Sequence, residues 1–332
     1  MNLRGFCERV TVFNSLALSR VSILDAFIIN GKMPAVDTVI LNIRATLLVS
    51  TIILVLSYAF ADGKSTEFWA HVWHMILSVV SIMNLWSLFR ICIQGTNTIS
   101  TLICTTTFTC VCAFRSFLPR IDAERMCFFS SPLSYPFIGR TGATFAEICF
   151  AFQVSRSWGH VARKIPSLTR TVDVVANLAF ILCTLAQVFC WAGVLTTNNL
   201  YHAIEESHWL VAFALMTGVS VVALYKEPAS PADGHFLRVF AWLGTIYCAY
   251  MFIIDVPMYI EKWRTWPKPI LSFSEGLQDS MRCGHLSQLT SDWVGEMPWL
   301  TGYFSAAVWA SQYLAATEQE RTQVSGTKAK SN

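Results

Sequence analysis

Charge is scarce in this chain. Asp, Glu, Lys and Arg make up only 14% of its 332 residues, whereas a soluble domain carries about 25%, so a soluble globular domain is set aside at the start. The net charge of +3 is small and its Lys and Arg are scattered, which excludes a nucleic-acid-binding surface. The 11 cysteines form no Cys-x-x-Cys pair; Cys110 and Cys112 are two apart, and most others sit in apolar runs, where they act as small hydrophobes. Several familiar chemistries lack their residues. There is no His-Glu-x-x-His, no series of His-x-x-x-His boxes, no Gly-x-Ser-x-Gly elbow and no glycine-rich phosphate loop. Retinal attachment needs a lysine deep in a late span, and Lys262 lies only at the end of one. Voltage-sensor arginine periodicity and a Thr-Val-Gly-Tyr-Gly filter are also missing. No internal repeat is visible.

What is present is apolar length. Hydrophobic residues are 54% of the chain and the mean hydropathy is +0.48. Runs long enough to cross ~30 Å of hydrocarbon recur at roughly 38–60, 68–93, 98–118, 140–158, 172–196, 204–225, 235–260 and 297–316. They predict an all-α, polytopic integral membrane helical bundle of about eight transmembrane helices, or seven if the fourth, short and bearing Glu147 and Gln153, is not a span. Residues 1–37 mix Arg4, Arg9, Arg20 and Lys32 with apolar residues and read as an amphipathic, interfacial segment. The bundle domain is expected over 38–316, and the polar tail 317–332 is expected to be disordered. Counting Lys and Arg on alternate loops puts both termini in the cytosol.

Between the fifth and sixth runs stands the polar stretch Thr196 to Trp209, longer than a bare loop requires. Helical spacing predicts two acid/imidazole pairs on neighbouring faces, His202 with Glu206 and Glu205 with His208. Imidazole and carboxylate together suit zinc or iron. A competing account has Asn198, Asn199 and the two glutamates capping and charging a helix start. His71 and His74 in the second run, Glu147 in the fourth and Asp255 in the seventh fall within roughly 5 to 11 Å of the same membrane face, at about 1.5 Å per residue. Ionisable residues in spans are costly and normally face the bundle interior with a partner. Each also has a plainer role: interfacial histidines beside Trp69 and Trp73, a helix-start pair of Arg140 with Glu147, and an aspartate bonded to backbone freed by Pro257.

Three functional readings follow. The leading one is a membrane-embedded, metal-dependent enzyme acting on a lipid or other apolar substrate, with Glu147, Glu206 and Asp255 in acid/base and supporting roles. His71, His74, His202, Glu205 and His208 are its candidate ligands for zinc or iron. The second is a proton- or cation-coupled transporter, and the third a receptor-like or scaffolding membrane protein. The bilayer is the expected partner in all three. Cys127 and Cys283 lie in two long loops that parity puts on one side, so they either pair across that side or remain two separate thiols.

Overall fold

The computed structural model describes residues 67–94, 97–226, 230–265 and 269–318. In chain order these form α1 (Phe68–Gln94), α2 (Ile99–Phe117), β1 (Arg120–Ile121), β2 (Met126–Cys127), α3 (Pro136–Ala162), α4 (Thr169–Thr196), α5 (Asn199–Leu224) and α6 (Pro231–Tyr250). A π turn over Met251–Asp255 then leads into α7 (Val256–Thr265), α8 (Phe273–Ser280), β3 (His285–Leu286), α9 (Thr290–Trp293) and α10 (Met297–Gly302). A second π turn over Tyr303–Ala307 carries α10 into helix over 308–318. The all-α expectation holds, since the strands are two residues each. Among the described residues, five helical stretches are long and apolar enough to cross a membrane: Phe68–Ile93, Ile99–Phe117, Pro166–Thr196, Asn199–Leu224 and Pro231–Thr265. The helix at the fourth run exists, 27 residues long, but Arg140, Glu147 and Arg156 dilute its hydropathy. The first run, the N-terminal segment and most of the C-terminal tail lie outside the described residues.

The described residues divide into two units, one joining α1 with residues 288–318, the other running from Asn97 to Ser287. In the first, Asn84 ties α1 to the last helix. Its Nδ2 donates to the Phe304 carbonyl at 3.2 Å, inside the second π turn, and its Oδ1 accepts from Trp309 Nε1 at 3.0 Å. A π turn leaves carbonyls without their helical donors, and the asparagine takes one of them. Trp293 is wholly buried, 5.5 Å from the Trp73 ring, so it is a core residue of this unit.

In the second unit, α2 to α7 pack side by side and α4 shows why. Apart from Val172, Val175 and Val194 near its ends, its buried face is small or polar: Ala176, Ala179, Cys183, Ala186, Gln187, Cys190, Gly193 and Thr196. Its exposed face is large and apolar, with Val174, Ile181, Leu185 and Val188 turned outward. Small residues let backbones approach closely, while the large ones are left for the surroundings, the arrangement expected where lipid is the solvent. Between helices the polar glue is sparse and specific. Trp158 Nε1 donates to Ser220 Oγ at 2.7 Å, and Gln153 Nε2 to Thr105 Oγ1 at 2.9 Å.

The corner between α4 and α5 is only two residues long. Thr197 closes α4 in the left-handed conformation (φ 57°), and Asn198 opens α5 by accepting the Leu200 N–H on its side chain. Over this corner lies a cap. β1 pairs antiparallel with β2, and β2 pairs parallel with β3. Cys127 and Cys283 are joined by a disulfide with their Cα atoms 5.9 Å apart, so the two long loops are stapled together. α8 sits so close to the end of α4 that a β-carbon on Gly276 would fall 1.7 Å from the Leu195 carbonyl oxygen, a position open only to glycine.

Candidate functional site

Three consecutive helices of the second unit bring polar groups to one buried place. α3 supplies Arg140 and Glu147, seven residues and thus two turns apart on one face. Arg140 Nη2 donates to Glu147 Oε2 at 2.7 Å and to Gln187 Oε1 of α4 at 2.9 Å, and Gln187 Nε2 donates to the same Glu147 oxygen at 2.8 Å. The three side chains close a triangle, and all are buried. Charge and countercharge cancel within it, which is the condition on which an ion pair survives away from water.

One turn further along α4, Cys190 meets α5. His202 Nδ1 lies 2.9 Å from Glu205 Oε2, and one donor atom from each of Cys190, His202 and Glu205 lies within 4.8 Å of the other two, all three residues being buried. The positive charge of Arg140 acts on Cys190, Glu147 and Glu205 alike. Triangle and trio are therefore one network. His202 is 7% exposed and its Nε2 has no hydrogen-bond partner. That nitrogen rests against the bare backbone of Gly193, where a β-carbon would stand 2.7 Å from it. The ring fits because residue 193 has no side chain.

The other residues singled out from the sequence fall in different places. Glu205 and Glu206 lie beyond the first turn of α5, which holds no acid, so helix-start capping belongs to Asn198 and does not account for them. The imidazole of His202 pairs with Glu205, three residues on, where the spacing had suggested Glu206. Glu205 is drawn towards the Cys190 thiol and the Arg140 charge, while half-buried Glu206 shares its electrostatic surroundings most strongly with Asp255. Asp255 ends the first π turn, buried, and accepts from the Tyr250 hydroxyl at 3.4 Å. Pro257 follows two residues later, and a widened turn relieves the clash between its ring and the preceding helix. The expected pairing of Glu205 with His208 is replaced by another: His208 donates from Nδ1 to its own Ile204 carbonyl at 2.7 Å and stacks on Phe189 at 5.1 Å. His71 and His74 belong to the other unit, on α1, where His71 is exposed and His74 Nε2 lies 3.4 Å from Ser78 Oγ.

Cys190 and Gln187 were not singled out as site residues from the sequence. Their signal is present all the same, as Gln187, Cys190 and Gly193 recur every third position in an otherwise apolar run.

The cap holds a second polar cluster. Buried Arg125, itself in the left-handed conformation (φ 57°), donates to the Val194 carbonyl at 2.7 Å, the Asp122 carbonyl at 2.6 Å and Asp279 at 2.9 Å. Burial pushes the Asp279 carboxyl up, but hydrogen bonds from Arg125 and Arg282 outweigh it and hold the group below its usual value. A cavity of about 660 Å³ opens here, lined among others by Arg125, Thr197, Glu275, Asp279 and Arg282. Arg125 and Thr197 are the two non-glycine residues with positive φ among those described, and both line it. Comparison with known protein families, curated proteins and solved structures gives no match.

Proposed function

We propose that this chain is a polytopic membrane protein of about eight spans whose second unit encloses a metal-dependent catalytic centre for a lipid or other apolar substrate. The observation that carries this reading is the convergence of α3, α4 and α5 on one buried network of Arg140, Glu147, Gln187, Cys190, His202 and Glu205. So many ionisable groups inside apolar helices are costly and are read as a functional site by default. Cys190, His202 and Glu205 are the groups with the chemistry to hold a metal. A bound metal supplies a Lewis acid for a substrate carbonyl or phosphoryl oxygen, or a low-pKa water. Glu147, held by Arg140 and Gln187, and Glu206 with Asp255 are the carboxylates placed to move protons around it. The stapled cap belongs to an oxidising compartment, in keeping with termini on the cytosolic side.

A second reading, a proton- or cation-coupled carrier, draws support from Glu206 and Asp255 beside a π turn, since interrupted helices with buried acids also build transport sites. The two part in one experiment. Purified protein in nanodiscs is incubated with a total lipid extract, and the lipids are followed by mass spectrometry beside the Glu147→Gln variant. The enzyme reading expects a product that forms with wild type, falls at least about a hundredfold in the variant and is abolished by a chelator. No product, together with substrate-dependent proton flux in sealed proteoliposomes, would replace the enzyme with the carrier.

A further inference from the structure

We infer that Cys190, His202 and Glu205 are the three protein ligands of a single zinc ion whose fourth coordination position is open. The inference deepens the metal-dependent reading and rests on the same network, but it concerns binding and is tested without turnover.

The donor set decides the metal. Magnesium, calcium and manganese prefer oxygen ligands and are poorly served by a thiolate. Non-haem iron of the oxygenase type takes two histidines and a carboxylate, and here the second histidine is a cysteine. Sulfur, imidazole nitrogen and carboxylate oxygen together suit zinc, and three protein ligands with a vacant fourth position are the pattern of its catalytic sites.

Charge points the same way. With the Cys190 thiol deprotonated, its proton released to water, one thiolate and one carboxylate cancel the two charges of the ion, and the neutral imidazole adds none. A divalent cation is then buried without net charge, beside an Arg140–Glu147 pair that is also neutral. Without an ion, His202 Nδ1 is held by Glu205 and Nε2 packs on the bare backbone of Gly193, three residues after Cys190 on the same helix face. An ion bound by the trio takes one ring nitrogen, and the Glu205 carboxylate turns from the ring to the metal.

The test uses the full chain purified in detergent. Elemental analysis should find about one zinc per chain, removable by chelation and restored by zinc alone. Reloading with cobalt should give a thiolate-to-cobalt charge-transfer band in the near ultraviolet. Cys190→Ser and Glu205→Gln, both close to isosteric, should lower zinc affinity by more than the roughly 10- to 100-fold typical of outer-shell changes, and Cys190→Ser should remove the cobalt band. His208→Ala should retain both zinc and band. Elution as a single species with the Cys127–Cys283 bridge closed serves as the folding control. If Cys190→Ser fails it, the band in wild-type protein decides. A folded wild type that takes up neither ion, or a cobalt spectrum unchanged in Cys190→Ser, overturns the inference. Zinc bound without lipid turnover would leave the site standing and remove the enzyme reading, and turnover without zinc would do the reverse.

Discussion

At the scale of single residues, a costly feature is the guanidinium of Arg140, buried beside Glu147 with Gln187 bonded to both. The pair is worth little net against a well-packed apolar replacement, but either half alone is a stranded charge. Glu147→Ala should therefore destabilise the protein by about 3 to 5 kcal/mol. The double variant Arg140→Met with Glu147→Leu should recover most of that loss, as followed by thermal unfolding in detergent. If the single variant melts like wild type, Arg140 has another anion close by and the triangle is not a closed unit. A polar residue so placed raises the stability cost of a mutation even where it carries no chemistry, which is why function must be read from turnover or binding and not from a melt.

The elements divide into those that build the bundle and those that cover it. α4 packs through alanine, glycine and cysteine and leaves its bulky residues outside, so its position depends on shape more than on water exclusion. The cap depends on charge. Asp279 of α8 accepts from Arg125 and Arg282, and Glu275, exposed at the start of the same helix, is held below its usual value by the side chain and backbone of Ser272 in a capping box. Both carboxyls sit lower in the folded state than in the unfolded one. The stability they contribute is present above the unfolded value of about 4 and is lost as pH falls through the folded value. Hydrogen exchange over 272–282, corrected for the intrinsic rate, should accordingly rise as pH drops below about 4 while α4 stays protected. Asp279→Asn should show the loosening already at neutral pH and respond less to acid. An equal response in wild type and variant would mean that the cap is held by the disulfide and Gly276 alone.

For the whole molecule, the bridge between Cys127 and Cys283 is the longest-range covalent constraint described, 156 residues apart in sequence. Closing so long a loop removes unfolded-state entropy worth about 4 to 5 kcal/mol on the chain-entropy account. Reduction should lower the melting temperature markedly, and alkylation of the unreduced protein should spare these two positions while accessible free thiols react. In sealed membrane vesicles with the cytosolic face outward, a membrane-impermeant maleimide should reach Cys127 and Cys283 only after both reduction with a permeant reductant and permeabilisation. Labelling without reductant would remove the bridge, and labelling of reduced but still sealed vesicles would reverse the proposed orientation.

Helix and apolar length could be read from the sequence because they are local: run length is set by neighbours within a few turns. The polar stretch at 196–209 was legible for the same reason, standing out against the apolar runs on either side. Which of its acids matters was not, because Glu205 and Glu206 differ by only ~100° around one helix, and the choice between them is made by what α4 and the first π turn present opposite. Cys190 looks like any small hydrophobe until α5 lays His202 across Gly193. The partners of Cys127 and Cys283 were likewise open, since two loops on one side need not be adjacent, and only the pairing of β2 with β3 brings their Cα atoms to 5.9 Å. Backbone conformation and burial pattern follow from short-range physics, whereas a site assembled from three helices exists only where their packing brings distant residues within bonding distance.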